Sequence, residues 1–145
     1  MEKFLNSHEE RVKCFGSHMG RFRNTNKGFT GDDIKREWID TARAHYAPGV
    51  KYEDVVGLYD TSLFGKGKTG LIFTDRYLYW ARSVSKGVIK LSDIEEVTYY
   101  DETKKKDVDR GIIFNMKNGS RVMWDGFCML KCGPFIEFME EYLSI

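Results

Sequence analysis

Leu71-Ile72-Phe73-Thr74-Asp75-Arg76-Tyr77-Leu78-Tyr79-Trp80 is two β-rich runs parted by a polar dipeptide, and its reading decides the fold. β-branched and aromatic side chains suit a pleated, half-buried surface, and a charged pair between two such runs marks a chain reversal. A hairpin is expected. On its N-terminal side Val55 to Thr61 is a candidate first strand, joined to the hairpin by the glycine-rich loop Phe64-Gly65-Lys66-Gly67-Lys68-Thr69-Gly70. On its C-terminal side Val88-Ile89-Lys90-Leu91 gives a fourth strand and Glu96-Val97-Thr98-Tyr99-Tyr100 a fifth. The charged run Glu102-Thr103-Lys104-Lys105-Lys106-Asp107 reads as a solvated loop. Gly111-Ile112-Ile113-Phe114-Asn115-Met116 and Arg121-Val122-Met123-Trp124 flank Lys117-Asn118-Gly119-Ser120, and Asn-Gly is a strong hairpin signal because both residues tolerate positive φ. These are strands six and seven.

Both ends of the chain switch to helical periodicity. Phe4, His8, Val12, Phe15, Met19 and Phe22 recur at three- and four-residue steps and share a helix face, with Gly16 and Gly20 weakening its second half. Residues 23 to 31 are turn-rich, and Thr30 with Asp33 reads as an N-cap and its first-turn acid. The next helix places Ile34, Trp38, Ala42 and His45 on one face, and Pro48-Gly49 ends it. At the other end Gly133-Pro134 opens a helix with Phe135, Phe138, Met139, Tyr142 and Leu143 on one side and Glu137, Glu140 and Glu141 on the other. The change of period at Val50 is the best domain boundary, dividing an N-terminal helical segment, 1–49, from a strand-rich domain, 50–145.

Seven consecutive short strands followed by one amphipathic helix describe an antiparallel meander that curls into a barrel and is capped by the helix, an α+β arrangement. The run Gly70 to Trp80, followed by Val88-Ile89-Lys90-Leu91-Ser92-Asp93-Ile94-Glu95-Glu96-Val97, resembles the pattern of bacterial PH-like and GRAM-like domains over residues 50–145. The resemblance implies a seven-stranded PH-like barrel and a non-catalytic domain that binds lipid headgroups, peptides or other proteins. The N-terminal segment resembles no family. Packing on the barrel is expected for it, because isolated helices of this length are marginal in water.

Composition narrows the function classes. Hydrophobic residues make up 41% of the 145 and charged residues 31%, which suits one packed core rather than a disordered chain. The formal charge of +1 supplies no global field to draw nucleic acid or an anionic membrane, so an electrostatic partner must meet a local patch. Three cysteines without a disulfide pattern point to a reducing compartment, the cytoplasm, and the first residues lack a signal peptide's apolar stretch.

Gly65, Gly67 and Gly70 spell G-x-G-x-x-G, but a strand follows where a dinucleotide site needs a helix, and Ser62 stands where a phosphate-binding loop needs glycine. In lipid-binding proteins that the chain resembles, the first inter-strand loop carries basic residues. Lys66 and Lys68 occupy that place here, and with Arg76 and Arg82 on the next hairpin they are the candidate anion-binding residues. Against this, Leu71-Ile72-Phe73-Thr74 carries none of the spaced cations of the headgroup-binding pattern. Cys128 and Cys132 lack two further ligands in sequence reach, so no metal or cofactor is expected; the cysteines read as small buried hydrophobes and His8 and His45 as packed or edge residues. Arg11, Lys13, Arg21, Arg23 and Lys27 read as a solvated helix face rather than a contact with RNA or an acidic partner. No nucleophile elbow, zinc-protease motif or acid pair is present, so an enzyme is not expected. The expected partner is a protein or peptide, as for a toxin-immunity or regulatory protein. The alternative is an anionic lipid headgroup at the Lys66/Lys68 loop, and the strand edges permit a dimer without requiring one.

Overall fold

The computed structural model describes residues 2–22, 28–30, 34–60, 69–82, 85–101, 110–125 and 132–145. The long amphipathic repeat at the start forms α1 (Glu2–Phe22), which runs unbroken through Gly16 and Gly20. It is followed by β1 (Gly28–Thr30), α2 (Arg36–His45), β2 (Val55–Asp60), β3 (Gly70–Thr74), β4 (Tyr77–Ala81) and β5 (Lys86–Lys90). Then come β6 (Ile94–Asp101), β7 (Arg110–Met116), β8 (Arg121–Asp125) and α3 (Cys132–Leu143). The fold is α+β, and each of the seven strands read from the sequence forms; β1 is an addition.

The strands pair antiparallel in two sheets, β1-β2-β3-β4-β5 and β6-β7-β8. The two do not close into the seven-stranded barrel expected from the sequence, and two features explain why. Leu91–Asp93 forms a single 3-10 turn that redirects the chain, so β5 pairs with β4 and β6 with β7 but not with each other. At the other end the outer edge of β2 is taken by β1, with Phe29 opposite Leu58 and Thr30 opposite Gly57. Thr30 is thereby a strand residue rather than a helix cap. Helix α2 starts five residues later, with Lys35 at its N-cap and no side-chain cap.

The main core lies between the sheets and under the two long helices. Phe15 of α1, Phe73 of β3, and Phe138 and Tyr142 of α3 form one aromatic cluster, with Phe73 and Phe138 edge-to-face at 5.2 Å between centroids. Trp80 of β4 meets Trp124 of β8 at 5.8 Å and so joins the sheets. Ring pairs in these geometries add to the stabilisation from burial alone. Phe15 reaches the sheet because position 57 is glycine: a Cβ there would fall 2.4 Å from its ring. The β2–β3 register slips between Val55 and Gly57, so Val56 turns inward beside Gly57.

A second, smaller core covers the opposite face of the five-stranded sheet. Ile39 and Ala42 of α2 and Tyr46 at its C-cap pack with Ile34, Val50, Leu58 and Ile72. His45, expected on this apolar face, is exposed instead, because the buried stripe runs through Ile39, Ala42 and Tyr46. At the β7–β8 reversal the Gly119 amide donates to the Met116 carbonyl at 3.0 Å, so the turn centres on Lys117-Asn118; Gly119 follows at φ +88°, and the Asn118 side chain accepts from the Ser120 amide at 2.9 Å. Among the described residues no helix is long and apolar enough to cross a membrane.

Candidate functional site

The turn between β3 and β4 is held from four directions. Thr74 Oγ1 accepts hydrogen bonds from the amides of Arg76 (3.3 Å) and Tyr77 (2.9 Å), which closes the reversal locally. From α3 the Tyr142 hydroxyl donates to the Thr74 carbonyl at 2.8 Å. From α1 the Asp75 carboxylate receives His8 Nδ1 at 2.7 Å and Arg11 Nη1 at 3.0 Å, while Arg11 Nη2 also donates to the Ile145 carbonyl at 3.2 Å. From the β5–β6 corner the Leu91 amide donates to the Arg76 carbonyl at 2.8 Å. Asp75 is 8% exposed, so the carboxylate is a buried group matched by the Arg11 guanidinium and the His8 ring rather than a solvated turn residue.

This arrangement presents Arg76. Its backbone is fixed by the contacts above, and its side chain is exposed between two clefts. The first cleft, about 440 Å³, lies between the β5–β6 corner and the end of α3. Its cations are Arg11, Arg76 and Lys90, and Leu91, Tyr142 and Leu143 are its apolar walls. The second, about 330 Å³, is bounded by Lys51, Asp54, Tyr77 and Tyr79. Burial, then the neighbouring Tyr77 and Asp54, raise the Tyr79 phenol above its usual range, so its hydroxyl stays neutral there. Burial likewise pushes the Tyr142 phenol up, against a smaller opposing effect of Arg11.

Of the four cations singled out in the sequence, the two among the described residues, Arg76 and Arg82, do not stand together. Lys66 and Lys68 lie outside the described residues. Gly70 pairs with Ala81, so the chain that leads into β3 arrives at the end of β4 that holds Arg82. Arg76 stands at the opposite end, about 20 Å away along a strand that rises ~3.3 Å per residue. Arg82 is half-buried, and its amide donates to the Ser85 carbonyl at 2.7 Å. The partners that surround Arg76, namely Lys90, Asp75 and Arg11, were legible only as separate turn and helix residues, because 64 positions separate Arg11 from Asp75.

A second constellation lies where α1 meets α3. Cys14 Sγ, a ring nitrogen of His18 and a carboxylate oxygen of Glu141 all fall within 4.8 Å of one another. His18 Nε2 hydrogen-bonds Glu141, its ring tilts against Phe138 at 5.8 Å, and its buried Nδ1 has no hydrogen-bond partner. The Cys14 thiol is buried, and burial followed by the Glu141 charge pushes its pKa to about 11. A thiol so protonated is a poor nucleophile. Cys14 is buried, and His8 is a half-buried residue at the edge of α1 that hydrogen-bonds Asp75. Cys128 lies outside the described residues, and Cys132 begins α3.

Compared with known proteins, the chain matches no family model, and no curated protein or solved structure is similar to it.

Proposed function

We propose that this chain is a non-enzymatic binding module of PH-like (GRAM-like) architecture that docks an extended acidic peptide, or such a segment of a protein partner, in the cleft between the β5–β6 corner and the end of α3. One observation carries the reading: a turn anchored by α1, α3 and the β5–β6 corner holds Arg76 rigidly beside Lys90, at the mouth of an apolar-walled cleft. Four meandering strands followed by three and a C-terminal helix support the PH-like assignment. Among the described residues β5 pairs only with β4, which leaves an edge to which an extended chain can add backbone hydrogen bonds. Arg76 and Lys90 suit a carboxylate on that chain, and Leu91 and Leu143 suit an apolar neighbour. A protein or peptide partner is favoured over a lipid headgroup because the two described candidate cations, Arg76 and Arg82, stand at opposite ends of β4 rather than together around one anion.

The test is a fluorescence-polarisation screen of extended peptides that carry one or two acidic residues among apolar ones. For the tightest binders the Arg76→Glu/Lys90→Glu double variant should lose at least about tenfold in affinity, since it turns attraction into repulsion at the cleft mouth. Arg82→Glu, at the other end of β4, should leave binding within about twofold. Equal losses in both variants, or none in either, would sink the reading. Sedimentation with anionic vesicles at physiological salt, in place of peptide binding, would move the assignment to lipid headgroups.

A further inference from the structure

We infer that Cys14, His18 and Glu141 form a binding site for one divalent cation of the zinc class, bridging α1 to α3. The donor set is the first reason. A thiolate, an imidazole and a carboxylate together suit zinc, and neither calcium nor magnesium is bound through sulfur or nitrogen. Spacing is the second. Zinc bonds of roughly 2.0–2.3 Å place tetrahedral ligand atoms about 3.3–3.8 Å apart. The three donors here already lie within 4.8 Å of one another, so side-chain rotation suffices to close the shell. Cys14 and His18 are one turn apart on the same helix face, a spacing that lets two side chains chelate one ion.

The surroundings favour the site over a plain hydrogen bond. The His18 ring is held against Phe138, and its buried Nδ1 has no hydrogen-bond partner. Glu141 is on the solvent side, its side chain 56% exposed, so an ion can enter past it and the carboxylate can swing to admit the metal between itself and His18. Binding expels the thiol proton, as for any zinc–cysteine bond. Three protein donors leave a fourth position for water or for a side chain from a partner.

Calorimetric titration of the full chain with zinc alone, backed by cobalt(II) spectra, tests the site. One equivalent should bind, the thermal midpoint should rise, and cobalt should show a thiolate-to-metal charge-transfer band. Glu141→Gln keeps a hydrogen-bonding amide at an exposed position, and His18→Gln keeps a polar one. Each should fold as the wild type does by circular dichroism, yet weaken zinc by more than about tenfold. Cys14→Ser should abolish the cobalt band. A Cys128→Ser/Cys132→Ser double variant should bind as the wild type does. Absence of one-to-one binding overturns the proposal, as does wild-type affinity in both Glu141→Gln and His18→Gln, or loss of binding in the Cys128→Ser/Cys132→Ser variant.

Discussion

The two sheets of this molecule live in different surroundings. Strand β3 of the five-stranded sheet is buried at all five residues, with Leu71 and Phe73 turned to the main core and Ile72 to the core under α2. Strand β8 of the three-stranded sheet alternates: Trp124 is buried, and the preceding Met123 is 49% exposed. A sheet covered on both faces erases the polar half of the strand pattern, and a sheet with one wet face keeps the two-residue period. The consequence is positional. The reversal between β3 and β4 inherits rigidity from packing on both sides, and that is where the structure places Arg76.

Alanine substitutions along the two strands test the contrast. Phe73→Ala should cost about 3–5 kcal/mol, because it leaves a cavity among Phe15, Phe138 and Tyr142. Ile72→Ala, one residue away on the other face, should cost about 2–4 kcal/mol. Met123→Ala should stay within about 0.5 kcal/mol. Urea midpoints at constant m-value measure all three. If Met123→Ala matched Ile72→Ala, the outer face of the three-stranded sheet would be covered in solution, and the comparison would collapse.

Next in size is the clasp at the rim of the doubly covered sheet. Asp75→Asn keeps the shape of the side chain but removes the charge that faces His8 and Arg11, and should cost about 2–3 kcal/mol. The loss falls short of that for a fully buried pair, because Arg11 retains the Ile145 carbonyl and the side chains of Arg11 and His8 both reach solvent in part. Added salt should change it little, since the carboxylate itself is shielded from solvent. A cost below about 0.5 kcal/mol by denaturant titration would mean that α1 does not anchor the turn.

Elements with a strong local period were legible in the sequence. The Phe135–Tyr142 stripe, the Asn118-Gly119 reversal and the Leu71–Trp80 hairpin each announce themselves within a dozen residues. Strand β1 was not legible, because three residues carry no period and its reason to be extended is the edge of β2. The start of α2 was misplaced for the same reason: Thr30 has a cap's chemistry, but the sheet claims its backbone. Barrel closure was unreadable, since nothing in Leu91-Ser92-Asp93 says whether the chain will turn a corner or continue a ladder. The site fared worst. Arg76 stands out as a candidate cation but Asp75 reads as an ordinary turn residue, and the partners of Asp75 lie 64 to 67 residues away, as Glu141 lies 123 from His18.

The smallest expected effect concerns the bond that ties α3 to the same turn. Tyr142→Phe removes one buried hydroxyl, which donates to the Thr74 carbonyl, and should cost about 1 kcal/mol at neutral pH. The cost should not be constant with pH. The folded chain holds the Tyr142 phenol above its ordinary value near 10, chiefly by burial. Its contribution to stability is therefore complete below pH ~10 and is lost as pH climbs beyond that, because the unfolded chain ionises there while the folded one does not. The variant lacks this loss. Denaturation of both proteins from pH 8 to 11, with a chelator present, should show the gap narrowing on the alkaline side. Titrations common to both proteins cancel in the difference. A gap that stayed level through pH 11 would place the hydroxyl in water rather than against β3, and α3 would then hold the sheet by its rings alone.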